Sequence, residues 1–376
     1  MMKRTDRGKT QPIEMDNVTA ATAQPASARW LHRWAVLIVC LVWPLIWVGG
    51  LVTTRDAGMA VPDWPGTYGK NLFLYPYQTW LLGPFDLFIE HGHRLLGAIV
   101  GFLAIIAVVV AWLAEPRRWV RLLAVGLLIA VIGQGVLGGM RVVLGDRTLA
   151  MVHGCTGPIF FVICAALAAV TSRWWWDRPG QSKQIMIPTP GNVRGAAMVT
   201  LLAYVQLLLG AQLRHVEAPA SPSGFAHLVY THIGGAVVLW GLTAWLAWNL
   251  RRSGSRQSSA GKSSPGCGDL TLLRPGYLLV GLVSLQIALG VGTWVVNYGW
   301  PRFAQVGPTS AGYLVKSKAF TESIVTTAHV ATGALILALG AVLWLRLLRA
   351  RFGQQPTLAR QGLESQIEKR ERLKVS

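Results

Sequence analysis

The chain has 376 residues, of which 52% are hydrophobic and 14% are charged, and it contains 17 tryptophans. This composition excludes an ordinary water-soluble protein and predicts an integral membrane protein. The formal net charge of +19 could indicate a nucleic-acid ligand. Because the basic residues are divided among the segments between apolar stretches rather than gathered in one patch, we exclude nucleic acid as a partner.

Eight apolar stretches are long enough, at about 20 residues each, to cross a hydrocarbon core of ~30 Å as helices. The predicted fold class is therefore an all-α integral membrane protein with eight transmembrane helices. The spans are placed near 34–54, 90–113, 120–141, 149–172, 196–213, 226–248, 275–296 and 323–347.

The numbers of lysines and arginines alternate between successive segments outside these spans. Segments 1–34, 114–121, 173–195, 249–274 and 346–376 hold 6, 3, 4, 5 and 8 of them, whereas the intervening segments hold 2, 2, 1 and 3. By the positive-inside rule, both termini are predicted to be cytoplasmic. The N-terminal segment has no apolar core of its own, so the first span is expected to be its own insertion signal rather than a cleaved signal peptide.

Short motifs recur at matched positions along the chain, which predicts two four-helix halves with the same topology, as in parallel internal repeats. The motifs are HRLLGA at 93–98 with HIGGA at 232–236, VHGCTG at 152–157 with AHVATG at 328–333, and QxxLG at 134–138, 206–210 and 286–290.

The predicted organisation follows from this repeat. It comprises a cytoplasmic N-terminal segment 1–33, a first half 34–172, a cytoplasmic linker 173–195, a second half 196–347 and a basic cytoplasmic tail 348–376. The longest outer loop, from Asp56 to Asp86, mixes aromatic residues with proline and glycine, and is expected to form an ordered cap at the membrane interface.

Four of the eight histidines occur once in each even-numbered span, a few residues from its outer end: His93, His153, His232 and His329. A polar side chain inside a span is costly unless it is satisfied, and so predicts a functional site. A single histidine could only hydrogen-bond a neighbouring helix, but two per half at matched positions favour ligand pairs over that alternative. His32, His91 and His215 are expected to be solvated or interfacial, and His227 is a weaker candidate.

Paired histidines inside a four-helix bundle are typical of metal or haem sites. We predict one haem iron per half, ligated by the two histidines of that half, because imidazole suits haem iron and no carboxylate cluster is present for a di-iron centre. Small residues near the ligands either leave room for the macrocycle or mark close helix contacts: Gly92, Gly97, Gly154, Gly157, Gly234, Gly235 and Gly333.

The stretch IEHGHRLLGA at 89–98 carries an acidic residue that the second half lacks, since Val229 stands at the aligned position. Glu90 and His93 share a helical face, so the carboxylate is expected to point into the first-half site. This asymmetry predicts proton chemistry in one site and a redox cofactor in the other. Alternatively, Glu90 pairs with Arg94, which is expected to anchor at the interface or to bind a haem propionate.

Together these residues resemble the heme A synthase family of eight-span membrane proteins. EHGHR looks like the family's Glu, any two residues, His and Arg. The other matching stretches are TRDAG at 54–58, PDWP at 62–65, QGVLGGMRV at 134–142, MVHG at 151–154, QLLLGAQLRH at 206–215, TH at 231–232, QIALG at 286–290 and AHVATGA at 328–334.

The resemblance implies oxidation of a methyl substituent of heme O to the formyl group of heme A. It implies that Glu90, His93 and His153 are catalytic residues around the substrate heme O. It also implies that His232 and His329 ligate a heme b that passes electrons. The expected location is a bacterial inner membrane with the haem sites toward the outer face, in contact with lipid.

The resemblance implies several partners as well: heme O synthase, haem-copper oxidase assembly and an electron donor such as quinol. One departure is the lack of cysteines in the first outer loop, where some members of the family carry a pair. Cys40, Cys155 and Cys164 fall in spans and Cys267 in a cytoplasmic loop, so no disulfide is expected on the outside.

Two other functions stay open. A di-haem electron carrier between quinol and an outer partner would use all four histidines as ordinary axial ligands. A transporter with repeated halves would place broken helices or charged residues near the midplane of the membrane. An acidic residue in one half alone favours the enzyme over the carrier.

Overall fold

The computed structural model describes residues 26–176, 186–215, 221–259, 270–299 and 319–353. In these ranges the regular elements are helices, which confirms the predicted fold class. Eight of them are long and apolar enough to cross a membrane. They are α1 (Ala26–Thr54), α2 (Phe85–Ala114), α3 (Arg118–Val143), α4 (Arg147–Thr171), α5 (Pro190–Arg214), α6 (Pro222–Ser259), α7 (Leu270–Tyr298) and α8 (Phe320–Phe352).

The helices match the eight predicted spans but most are longer, because the helical hydrogen-bond pattern continues past the apolar core into polar residues. The clearest cases are α1, which starts eight residues before position 34, and α6, which continues to Ser259. At α4 the carboxylate of Asp146 caps the start by accepting the Leu149 N–H at 3.0 Å. The predicted terminal segments and linker, and Cys267, lie largely outside the described residues.

The helices pack as two rings of four. In the first half, α1 and α3 each contact α2 and α4; in the second, α5 and α7 each contact α6 and α8. The two rings meet through contacts of α1 with α8, α4 with α5, and α4 with α8. Replacing each helix by the helix four places away in the chain order gives the same set of contacts. The predicted repeat requires this symmetry.

Small and large apolar residues are sorted between the interior and the lipid side. Ala104, Ala107 and Ala111 of α2 are fully buried, whereas Phe102 and Leu113 of the same helix are 64% and 83% exposed. Small residues let helices approach closely, and lipid solvates the large ones, so this pattern is that of an integral membrane protein. It also keeps each ring compact around its four-helix interior.

Contacts between arginines and tryptophans surround one end of the molecule, the end that carries the start of α1 and the ends of α4, α6 and α8. This is the end predicted to be cytoplasmic, and such residues concentrate at a membrane interface. In the arginine–tryptophan belt, the guanidinium carbon lies 4.8 Å from the ring centroid for Arg33 and Trp30, 4.2 Å for Arg117 and Trp176, 4.0 Å for Arg252 and Trp248, 5.6 Å for Arg346 and Trp174, and 5.8 Å for Arg349 and Trp175.

Candidate haem sites

The four histidines singled out in the sequence lie near the end opposite the belt, called here the outer end, and form two pairs. The ring centroids of His93 and His153 are 6.4 Å apart with the planes at 88°. Those of His232 and His329 are 6.2 Å apart at 73°. The structure thus brings together one histidine from each even-numbered helix of a half, with nearly the same geometry in both halves.

Each of these histidines packs on a glycine of the preceding helix, where a Cβ would press on the imidazole Cε1. The built distances from that Cβ are 2.7 Å for Gly49 and His93, 3.2 Å for Gly138 and His153, 3.3 Å for Gly210 and His232, and 3.1 Å for Gly290 and His329. Three of the glycines end the QxxLG motifs. Gly49 was missed in the sequence because α1 has Leu45 where the other motifs have glutamine.

The glutamines of the QxxLG motifs face the helix that carries the histidine. The Nδ1 of His329 lies 3.1 Å from the carbonyl oxygen of Gln286, which can accept its proton and leave Nε2 for a ligand. The glycines near the histidines therefore divide into two kinds. Gly157, Gly235 and Gly333 contact glutamine side chains, whereas Gly92, Gly97, Gly154 and Gly234 face open space, so only the second set leaves room for a macrocycle.

The chemistry of both pairs fits a haem. Two imidazoles on opposite sides of one metal, each ~2 Å from it, put their centroids roughly 6 to 6.5 Å apart. In the part of the chain that the structure describes, no group of three or more metal-ligating side chains occurs, and a haem needs only two because its macrocycle supplies the other four ligands. Among the described residues, the imidazole of His93 faces the backbone carbonyl of Leu45, and that of His153 faces the backbone carbonyl of Gln134. As in His329, this contact leaves one ring nitrogen of each for a ligand.

Glu90 is buried beside the first pair, with 1% of the residue exposed. Its Oε2 accepts the N–H of Val61 at 2.9 Å, and its Oε1 lies 2.8 Å from Nη2 of Arg94. The ion pair considered as an alternative in the sequence is therefore present. The carboxylate also holds the outer loop, because Val61 belongs to that loop.

Arg94 fastens the same loop, residues 56–86, which we call the cap. Its Nη1 donates to the carbonyl oxygens of Asp63 at 2.6 Å and Gly66 at 2.9 Å, and its Nη2 donates to the carbonyl of Val61 at 2.8 Å and to Glu90. These four contacts use all four terminal N–H groups of the guanidinium. The expected ordered cap is observed, and Arg94 is one of its attachments rather than an exposed interfacial cation.

The sequence predicted that His91 would be solvated or interfacial, and this prediction is wrong. His91 is fully buried under the cap, where its Nδ1 lies 3.0 Å from Oγ1 of Thr67 and its ring lies 5.2 Å from Tyr75 and 4.9 Å from Trp80. The cap folds over the start of α2, so His91 is buried although it points away from His93. Glu90, His91 and Arg94 therefore all bind the cap.

The cap reaches α3 as well. Trp64 lies directly against Gly139, where a Cβ would overlap its indole, and Gly58 lies against the guanidinium of Arg141 in the same way. Within the cap, Asp63 accepts the N–H groups of Tyr68 at 2.7 Å and Gly69 at 2.8 Å. Although desolvation raises it, these hydrogen bonds hold the pKa of Asp63 below its ordinary value.

Arg141, near the end of α3, is the second guanidinium of the first-half site. It follows Gly138, which packs on the His153 ring, by one helical turn. Its charge acts on Glu90, His93 and His153. Among the described residues, no hydrogen bond reaches its guanidinium. In the sequence, Arg141 stands out only as part of the motif QGVLGGMRV. Nothing in the sequence shows that the cap fully occupies Arg94 and leaves Arg141 as the second arginine of the site.

The remaining histidines differ in their surroundings. His32 falls within α1 and is half-buried, with Nδ1 3.0 Å from the carbonyl oxygen of Ala168 on α4. His227 is exposed and its Nδ1 lies 2.7 Å from the carbonyl oxygen of Ser223. His215 follows α5, and its Nε2 is buried without a hydrogen-bond partner among the described residues. None of the three lies in either histidine pair.

Known proteins match this chain over about half of its length. Heme A synthase of Shouchella clausii is 29% identical over 180 residues, which are 47% of this chain and 56% of the relative. Heme A synthase of Methylobacterium radiotolerans is 26% identical over 207 residues, 48% of this chain and 55% of the relative. The chain thus spans little more than half the length of these two relatives.

A family match covers more of the chain than the first of these alignments does. Residues 32–228, just over half of the sequence, match the family described as cytochrome oxidase assembly protein (COX15-CtaA). This segment includes α1 to α5 and the start of α6, and therefore both histidines, Glu90 and the cap of the first half. The protein is an integral membrane member of this cytochrome oxidase assembly family.

Proposed function

We propose that the chain is a heme A synthase, an oxidoreductase that converts a methyl substituent of heme O to the formyl group of heme A for terminal haem-copper oxidase assembly. One observation carries the proposal. Two histidine pairs have matching geometry, yet among the described residues a buried carboxylate precedes a pair histidine by three residues only in the first half. The printed name of the relatives, heme A synthase, agrees with the proposed activity.

In this proposal His93 and His153 hold the substrate heme O, and His232 and His329 hold a heme b. When bound, the haems supply the redox chemistry that hydroxylation of an unactivated C–H bond requires. The polypeptide positions them: each imidazole is fixed by a glycine of the adjacent helix, and the carbonyl of Gln286 orients His329.

Glu90 is the residue of the first half that can hold or move a proton. Its carboxylate is removed from water by the cap, and its ion pair with Arg94 keeps it at a fixed place next to His93 in the helix. A carboxylate in such a position can act as a proton shuttle or orient a water molecule. The cap also limits access of bulk water to the first pair, which favours oxidation of the bound ring over side reactions.

The cellular setting belongs to the same proposal. We place the protein in a bacterial inner membrane with both pairs toward the outer face, receiving heme O from heme O synthase and electrons from a donor such as quinol. The end that carries the arginine–tryptophan belt supports this orientation, since basic residues accumulate on the cytoplasmic side.

The decisive experiment is expression of the full chain together with a heme O synthase in cells that lack heme A, followed by extraction and chromatographic separation of the haems. Heme A is the expected product. Accumulation of heme O alone, with a folded protein that binds haem, would contradict the proposal. A chain with His93→Ala serves as the control that isolates the first-half site.

A di-haem electron carrier is the second candidate, and the close match between the two ring pairs favours it. A carrier would show two heme b centres of similar spectrum and would make no heme A. The enzyme would show one stable heme b and a first-half haem that changes from the O to the A form.

A further inference from the structure

The first-half site contains a guanidinium that, among the described residues, forms no hydrogen bond with the cap or with another side chain. Arg141 lies against Gly58, whose lack of a side chain leaves space for the guanidinium. Arg141 follows Gly138, which packs on the His153 ring, by three residues in the same helix, so both residues lie on the face of α3 toward the first pair. No hydrogen bond reaches this group from the described residues, so its five N–H donors are free for a ligand.

Arg94 cannot replace it in that role. Both of its terminal nitrogens are committed to three cap carbonyls and to Glu90, and its side chain is only 10% exposed. Releasing Arg94 to bind a ligand would detach the cap and leave Glu90 buried without its partner. Such a break is costly, because an unpaired buried charge loses its compensation.

The charges around the first pair do not balance. Glu90 neutralises Arg94, while Arg141 adds a further positive charge at the same place. The other nearby carboxylate, Asp63, lies in the cap and accepts two backbone N–H groups at the outer surface. The imidazoles of His93, His153 and His215 also face Arg141 and supply no negative charge. The site is therefore suited to an anionic ligand.

We propose that Arg141 binds a propionate carboxylate of the haem held by His93 and His153. This rests on the proposed function only in that a haem occupies the first half. A guanidinium recognises a carboxylate through paired N–H donors, so it would fix the rotation of the ring about the axis of the two imidazoles. That rotation decides which ring substituent faces the reacting side.

The described part of the second half does not repeat this placement of an arginine beside the histidine pair. The repeat aligns Arg141 of α3 with Thr293 of α7, since each follows the glutamine of its QxxLG motif by seven residues. The arginine at the end of α5 in the second half, Arg214, donates from Nη2 to the carbonyl oxygen of Gly50, at 2.8 Å, and to Oγ1 of Thr54. Arg214 therefore joins α5 to the end of α1 at the boundary between the halves. Selectivity for the haem carboxylates is accordingly expected in the first half.

The test compares ferric protoporphyrin haem with its dimethyl ester, in which both carboxylates are blocked. Each is titrated into the full-length haem-depleted protein in detergent, and the first-half phase is identified as the one lost in His93→Ala. The expected result is that Arg141→Gln weakens first-half binding of the free acid by at least about tenfold and leaves binding of the ester unchanged. Arg141→Lys should restore part of the difference, because it keeps the charge.

Arg147→Gln is the matched control, since Arg147 is an exposed arginine at the same end of the molecule. It should leave both titrations unchanged. An equal loss for acid and ester in Arg141→Gln would overturn the proposal, since it would indicate a packing role. So would unchanged binding of the acid. A wild-type chain that discriminates between acid and ester but makes no heme A would leave this assignment standing and reject the proposed activity instead.

Discussion

The two halves build the same histidine pair and surround it differently. Ring separations of 6.4 Å and 6.2 Å show that the scaffold, a glycine on one helix and a histidine on the next, is shared. In the first half, Glu90 and Arg141 lie beside the pair and a cap covers it; in the second half, Val229 stands where Glu90 would be. The two pairs are thus alike in ring geometry, and the proposed difference in reactivity would come from residues that, in the described part of the chain, the first half alone contains.

Removing one histidine from each half tests the comparison most strongly. His93→Ala should lower heme A formation by at least about a hundredfold while the second-half haem keeps its spectrum. His329→Ala should remove the second-half haem instead. Haem content and absorption spectra of the two purified variants measure this. If either substitution removed both haems, the halves would not be independent sites.

Glu90→Ala should lower heme A formation by about two orders of magnitude or more, because a positioned proton donor or acceptor typically contributes that much. The spectrum of the second-half haem should not change. Glu90→Gln is the matched variant, since its amide oxygen can still accept the Val61 N–H and keep the cap attached. Normal activity in Glu90→Gln would show that the carboxylate only holds the cap.

The glycine contacts predict a smaller and graded effect. Gly49→Ala would place a Cβ 2.7 Å from the His93 ring, whereas Gly210→Ala would place one 3.3 Å from that of His232. Overpacking should therefore weaken first-half haem binding about tenfold in Gly49→Ala and second-half binding by at most about threefold in Gly210→Ala. Gly126→Ala, which meets open space, is the control in haem titrations. Equal effects at both sites would contradict the graded contact.

The smallest expected effect is a change with pH in the stability of the cap. Among the described residues, a cap of this kind occurs only in the first half. The pKa of Asp63 is held below its ordinary value of 3.8 by two backbone hydrogen bonds, so ionised Asp63 stabilises the folded cap above about pH 4. That contribution is lost as the pH falls through the folded pKa. Protease cleavage within residues 56–86 should increase at low pH in the wild type and show less pH dependence in Asp63→Asn. The same pH dependence in both proteins would remove Asp63 as the cause.

The sequence predicted the spans and the four histidines well because both follow from local patterns. Apolar length identifies a span, and an imidazole inside one is conspicuous. The residues that were misjudged depend on the path of the cap. His91 is buried and Arg94 is fully engaged because loop carbonyls and aromatic rings fold back on α2, and no periodicity in the sequence encodes that path. Gly49 was missed because Leu45 interrupts the motif that identified its three counterparts.

The arginine–tryptophan belt sets the depth of the chemistry. Between a pair histidine and a belt tryptophan, 15 residues intervene along α6, from His232 to Trp248, and 20 to 22 intervene along α4 and the residues that follow it, from His153 to Trp174, Trp175 and Trp176. At 1.5 Å per residue, both pairs lie roughly 22 to 33 Å from that surface, close to the full thickness of a hydrocarbon core. If the two pairs hold haems as proposed, electrons and protons would reach them by a short path from the opposite surface or from the lipid beside it, and a soluble donor at the belt end would be too distant to supply them.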